Sequence, residues 1–280
     1  MHTTMIISIR KTILTATLLL LSIALGAQER TPFFVQIADP QLGFITKSDD
    51  FAPEQERMER IIAKVNQLQP DFVVFAGDLV HRPTDEAREA FDALCAKFDR
   101  SIPIYLLPGN HDVGNDATSE AVEQFIERYG RDRFVRRERD YSIVGYNSCV
   151  IKAETDAEPN EYRWLRKQLR RLPHRHPMIV VAHHPIFVNE LNEKVTYENL
   201  TPEMRTKYLT LFERFGVDLV LAGHLHMCAR GEYRGIELVT SGPAGRTLGR
   251  DGSGITIVTV KGGKASATYY EIDQIPAAID

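Results

Sequence analysis

The 280-residue sequence predicts an α/β protein of two stacked β-sheets with helices outside them. Three patterns point there. Short apolar runs of strand length recur through the chain. Segments with apolar residues at helical spacing separate most of them. Towards the C-terminus the helical spacing disappears and only strand patterns remain.

Taken in order, Phe33 to Ala38 reads as a short buried strand. Residues from Pro53 to Gln69 then place Met58, Ile61, Ile62, Val65 and Leu68 on one helical face. Phe72 to Ala76 is a second strand. Thr84 is a candidate N-cap for a helix with Ala87, Phe91, Leu94, Cys95 and Phe98 inward. Ile102 to Leu107 is a third strand, and Thr118 or Ser119 starts a helix through Val122, Phe125, Ile126 and Tyr129. Tyr141 to Tyr146 and Ser148 to Lys152 read as strands, and Glu161 to Leu172 as a helix. Met178 to Ala182 and Val217 to Ala222 are further buried strands, with a helix near Pro202 to Phe215 between them. Ile236 to Ser241, Ile255 to Val260 and Ala265 to Ile272 close the chain as strands.

Residues 1–27 stand apart. Arg10 and Lys11 precede a leucine-rich apolar run, and small residues follow at Ala24, Gly26 and Ala27. This is the layout of a cleaved export signal, which would put the mature protein in the periplasm or outside the cell. The apolar run is shorter than the ~20 residues of a spanning helix, so no stable membrane span is expected after cleavage. Residues 28–280 show no repeat, low-complexity tract or linker and read as one domain.

Composition is that of an ordinary globular chain, 43% hydrophobic and 26% charged. A net charge of −4 gives no general platform for nucleic acid or an anionic membrane. Affinity for phosphate must come from a local site. Cys95, Cys149 and Cys228 are far apart and form no CxxC pair, so neither a thiolate metal site nor a disulfide is indicated.

Five of the apolar runs end in a potential metal ligand: Asp39 with Gln41, Asp78, Asn110 followed by His111 and Asp112, His183 with His184, and His224 with His226. In a mostly parallel sheet the carboxyl ends of strands lie at one edge, where ligands bind. Donors scattered along the chain therefore converge. Oxygen and nitrogen donors without sulfur suit Mn, Fe, Co or Zn. Seven donors (Asp39, Gln41, Asp78, Asn110, His183, His224 and His226) exceed the needs of one four-coordinate ion and fit two ions about 3.5–4 Å apart. If the strand continues extended, His224 and His226 point the same way. His174 and His176 belong to a basic turn.

Asp39-Pro-Gln41, Gly77-Asp78, Gly109-Asn-His-Asp112, His183-His-Pro185 and Gly223-His-Leu-His226 resemble the five signatures of the calcineurin-like metallophosphoesterases. Finer matches, including Leu248-Gly-Arg-Asp251, resemble its branch of serine/threonine phosphatases. The resemblance spans roughly Phe33 to Ile272 and implies a four-layer double β-sandwich flanked by helices. It also implies that Asp39, Gln41 and His226 hold one divalent ion, that Asn110, His183 and His224 hold a second, and that Asp78 bridges them. Gln41 departs from the wider family, which has histidine there. An amide oxygen is a weaker ligand for a transition metal, so this ion should be held more loosely or be a harder one. The implied activity is hydrolysis of phosphate esters by a hydroxide between the ions. His111 would serve the leaving oxygen, and Asp112 would orient the His111 ring. His81, Arg246 and Arg250 are candidates for substrate contact. A phosphomonoesterase acting on a phosphorylated substrate is the leading expectation. The alternatives are a phosphodiesterase acting on nucleotides or lipid headgroups and a metal-binding protein without turnover. Oligomeric state is not legible.

Overall fold

Two β-sheets are stacked face to face with helices on both outer sides. The computed structural model describes residues 30–279, so the export signal read at residues 1–27 lies outside them. In chain order the elements are β1 (Phe33–Ile37), α1 (Ala52–Leu68), β2 (Val73–Ala76), α2 (Asp85–Cys95) and β3 (Ile104–Leu107). Then come α3 (Asn110–Val113), α4 (Ser119–Tyr129), β4 (Phe134–Arg137), β5 (Ser142–Gly145), α5 (Ser148–Lys152) and α6 (Glu158–Arg171). The rest is β6 (Met178–Val181), α7 (Pro202–Phe215), β7 (Leu219–Ala222), β8 (Ala229–Tyr233), β9 (Ile236–Thr240), β10 (Gly254–Lys261) and β11 (Lys264–Glu271).

The first sheet has the order β11-β10-β1-β2-β3 and the second β4-β5-β6-β7-β9-β8. Each holds a parallel block, β1-β2-β3 in one and β5-β6-β7-β9 in the other, with antiparallel strands outside it. Period-two alternation explains the layering. Phe34, Val74, Ala76 and Leu107 of the first sheet share an apolar cluster with Ile143, Ile179, Val181, Leu219 and Leu221 of the second. The alternate residues Val35, Ile37, Val73 and Phe75 belong to the other cluster, with Met58, Ile61 and Val65 of α1 and Phe91 of α2. Val144, Val180 and Val220 belong there too, with Leu165 of α6 and Phe212 of α7. Each such side chain contributes about 1.5–3 kcal/mol when fully buried. Buried strands that carry apolar residues on both faces have nowhere to go but the middle of a layered fold.

A polar residue of β1 faces the inter-sheet layer. Gln36 is fully buried, and its Nε2 donates to the Ala222 carbonyl at 2.8 Å. This ties the end of β1 to the end of β7.

Helix starts follow the sequence. Thr84 and Thr118 accept from the backbone amides of Ala87 and Ala121. One segment differs from its reading: Ser148–Lys152 is a helix, α5, not a strand. The Asn147 side chain accepts from the Cys149 amide and starts it. A five-residue run with three apolar members shows no decisive period, so only the cap distinguishes the two forms. Strands β4 and β8 leave no strand signal in the sequence. Both are edge strands with charged residues, Phe-Val-Arg-Arg and Ala-Arg-Gly-Glu-Tyr, and lack an apolar run.

The start of α5 is braced from α6. Glu161 accepts from the Asn147 amide at 3.1 Å and from Arg133 at 2.6 Å. Burial, aided by the charge of Asp132, outweighs those partners and raises the Glu161 carboxyl from 4.5 to about 7. Between those values the folded chain keeps a proton that the unfolded chain has released, so this residue makes stability fall as pH rises through that window. Denaturant titrations at a series of pH values should show the decline, and Glu161→Gln should flatten it. An unchanged pH profile in the variant would exclude Glu161 as its source.

Candidate metal centre

The donors arrive from both sheets. β1 leads to Asp39 and Gln41, β2 to Asp78, and β3 to Asn110, His111 and Asp112 on the four-residue helix α3. From the second sheet, β6 leads to His183 and His184, and β7 to His224 and His226. The sequence reading placed them along one edge of one sheet. In the structure two parallel blocks end side by side, and the donors meet between them. Gly223 shows how close the two come: a Cβ there would lie 2.8 Å from Asp39 Oδ2 and 2.9 Å from the Ala38 Cβ.

The backbone bends sharply at the donors. Asp39, Gln41, Asp78, His224 and His226 have φ of 51°, 42°, 52°, 75° and 54°. A left-handed non-glycine residue costs on the order of 1–3 kcal/mol, and such residues cluster at functional sites. His224 and His226 therefore do not share the site by strand alternation, as the sequence suggested. Successive left-handed turns after β7 bring both rings to it. Backbone bonds hold these turns, among them Gln41 N to Asp78 O at 2.9 Å and Gly245 N to Asp39 O at 3.1 Å.

Two donor groups result. Asp39, Asp78 and His226 form one; His183, His184 and His224 form the other. His183 links them. Its Nε2 lies 3.3 Å from Asp78 Oδ1, 3.0 Å from Asn110 Oδ1 and 3.1 Å from His224 Nδ1. Backbone carbonyls set the tautomers of three rings. Nδ1 of His183 donates to Ala76 O at 2.8 Å, Nε2 of His224 to Tyr197 O at 3.3 Å, and Nδ1 of His226 to Arg246 O at 2.5 Å. In each ring the other nitrogen is left with a lone pair facing the cluster, as metal-binding histidines require. His184, which the sequence reading set outside the ligands, packs into the same cluster with its ring 4.5 Å from His224. Ser148 Oγ lies 3.3 Å from its Nδ1 and accepts from the backbone amides of His183 and His184.

Electrostatics show what kind of charge the cluster suits. Burial and the neighbouring Asp78 push the Asp39 carboxyl well up. For Asp78 burial also raises the carboxyl, but His183, His111, His224 and the His111 amide together bring it below its ordinary range. Burial and nearby rings hold His224 down at about 3 and lower His183 and His226, which favours the neutral form of each ring. Among the described residues no lysine or arginine pairs with either carboxylate. Gln41 donates through Nε2 to Asp78 Oδ2 at 3.1 Å, while its buried Oε1 has no partner. Two buried carboxylates, inward lone pairs and an orphaned amide oxygen fit divalent cations.

Around this cluster the structure separates the remaining candidates. The His111 amide donates to Asp78 Oδ1 at 2.9 Å, which fixes the ring beside the donors. Its Nδ1 bonds the His81 carbonyl at 2.8 Å, and the two imidazoles stack with centroids 4.8 Å apart. Asp112 does not orient that ring, contrary to expectation. It accepts from the amides of Leu79 at 3.0 Å and Gly109 at 2.8 Å, with Val80 also near. As a carboxylate three residues into a helix, it reaches back to the cap amide and staples two donor loops together. Arg246 lies over the Phe44 ring, 5.1 Å from its centroid, and Phe44 contacts both His81 and His226. Arg250 is exposed and stays with the solvent-facing loop. Tyr197, Asn115, Phe44 and Ser148 all touch donors; Asn115 closes the motif that begins at Gly109, and the other three carry no motif in the sequence.

The sequence profile of the family described as calcineurin-like phosphoesterase matches residues 34–228. The chain belongs to the calcineurin-like phosphoesterase family. It is 32% identical over 270 residues to the human serine/threonine-protein phosphatase CPPED1, covering 87% of this chain and 84% of that protein. Solved structures similar in fold include a dimetal phosphatase from Danio rerio, at TM-score 0.62 and 11% identity over 87% of this chain and 97% of that one. Another is the purple acid phosphatase PPD1 of yellow lupin, at TM-score 0.67 and 15% identity over 89% of this chain and 53% of that one. This calcineurin-like phosphoesterase is thus a metal-dependent phosphoric ester hydrolase, and its family uses two metal ions.

Gly109 offers a direct test of the loop packing. A Cβ there would lie 2.1 Å from Asp78 Oδ1 and 2.2 Å from Asp78 N, closer than atoms can approach. Gly109→Ala should displace Asp78 and lose at least one ion per chain, counted by mass spectrometry under native conditions. Full two-ion occupancy in a folded variant would refute this placement.

Proposed function

We propose that the protein is an exported phosphomonoesterase that holds two divalent ions between its sheets. Asp39, Gln41, Asp78 and His226 would hold one ion, and Asn110, His183, His224 and Asp78 the other. The observation that carries the reading is the pair of donor groups in contact through His183 and Asp78, with the His111 ring fixed beside them through its own amide. Bound there, divalent ions make water acidic enough to act as a nucleophile near neutrality and offset the charge of phosphate oxygens.

The chain's own residues supply the rest. The His81 carbonyl keeps a proton on His111 Nδ1. A second proton, on Nε2, makes the ring an acid that can protonate the leaving oxygen. Arg246, held over Phe44 at the rim, offers a guanidinium fork that matches phosphate oxygens. The similarity to serine/threonine-protein phosphatases over most of the chain favours monoesters, with phosphorylated side chains of proteins as one class. Export is supported by the sequence layout of residues 1–27.

Metal-reconstituted protein should hydrolyse p-nitrophenyl phosphate faster than bis-p-nitrophenyl phosphate. The reverse order would make it a diesterase, and no turnover with either, despite two bound ions, would make it a binding protein. His111→Ala should lower kcat about 10²–10⁴-fold with both ions retained. A full-rate variant would remove His111 from the chemistry. N-terminal sequencing of the protein from the expressing cell should begin near residue 28, and a start at Met1 would contradict export.

A further inference from the structure

Between β6 and α7 the chain crosses the metal centre as a long loop without helix or strand, residues 186–201. Such a segment would ordinarily be mobile, because its backbone groups lack ladder partners. Here they are taken one after another. Arg205 of α7, fully buried, donates to the carbonyls of Leu200 at 2.8 Å, Leu191 at 2.8 Å, Glu193 at 2.7 Å and Lys194 at 3.4 Å. Lys152 of α5 donates to the carbonyls of Thr196 and Asn199. The Glu193 carboxylate accepts from the amides of Val188, Asn189 and Glu190 and from Asn199 Nδ2. Two basic side chains are thus committed to fixing a loop whose buried apolar residues, Ile186, Phe187 and Leu200, lie at its two ends.

What the bracing fixes is Tyr197. Its side chain stays 52% exposed, so its position is not explained by its own burial. It nevertheless makes three contacts with donors of the second ion. Its hydroxyl accepts from Asn110 Nδ2 at 2.6 Å, its carbonyl accepts from His224 Nε2 at 3.3 Å, and its ring lies 4.9 Å from the His224 ring. Asn115 completes the arrangement. Its Oδ1 accepts from Asn110 Nδ2 at 3.1 Å and from the Tyr197 hydroxyl at 3.4 Å. With its amide nitrogen held by two oxygens, Asn110 must present Oδ1 to the cluster, 3.0 Å from His183 Nε2.

We propose that Tyr197 is a positioning residue for the second ion: its hydroxyl fixes the Asn110 amide with oxygen inward, and its carbonyl fixes the His224 tautomer with Nδ1 inward. This rests on the metal-centre reading above. Groups that orient ligands from outside typically change metal affinity 10–100-fold when removed.

The test is metal titration of metal-free protein with Mn by calorimetry, without substrate. Tyr197→Phe keeps the ring and the carbonyl and removes only the hydroxyl. It should weaken one of the two binding steps roughly 10–100-fold and leave the other unchanged. Thermal unfolding of the metal-free variant should match the parent, because the side chain is half exposed. Val195→Ser, on the same loop and 50% exposed, should leave both steps unchanged. Unaltered affinities in Tyr197→Phe, or equal weakening in Val195→Ser, would overturn the assignment while leaving the centre itself standing. A parent protein that binds fewer than two ions would overturn the centre, and this inference with it.

Discussion

Two carboxylates, Asp39 and Asp78, are buried side by side where the two sheets meet, and much of the molecule is arranged around keeping them there. Left alone they would repel each other and resist desolvation. Neutral imidazoles surround them, and no lysine or arginine neutralises them among the described residues. A fold that holds such a pair needs cations from outside. The same demand explains why five donors sit in left-handed backbone, where strain persists only if the surroundings enforce it.

The enforcement is mechanical as well as electrostatic. Gln36 links β1 to β7 beneath the site, and Asp112 links the loop after β2 to the loop after β3. Carbonyls of Ala76, Tyr197 and Arg246 hold three rings in the tautomer that leaves a lone pair inward. These supports come from widely separated parts of the chain, so the donors keep their geometry only while both sheets stay registered. Coupling of this kind makes the centre a sensitive reporter of packing between the sheets.

The order of the elements and nearly all the donors were legible in the sequence, because buried strands with apolar residues on both faces leave an unmistakable run. The residue that follows such a run at its carboxyl end is placed by the strand itself. Edge strands β4 and β8 left no such run, and the α5 helix was too short to show a period. At the site, Asp112 was assigned to the wrong partner. Adjacency in sequence suggested His111, whereas the helix α3 turns the carboxylate back onto backbone amides. Tyr197 was invisible, since a tyrosine in a polar loop resembles any other until Arg205 and Lys152 fix the loop over the donors.

The sequence by itself determined the chemistry: which oxygen and nitrogen donors exist, which strands deliver them, and the family they resemble. Tertiary structure alone decided that the donors come from two sheets rather than one, which ring nitrogen faces inward, and which neighbours hold it so. The physical reason is range. Apolar periodicity and strand ends are local properties of a few residues, whereas tautomers and amide orientations depend on distant hydrogen-bond partners, 107 residues away between His183 and Ala76 and 186 between Gln36 and Ala222.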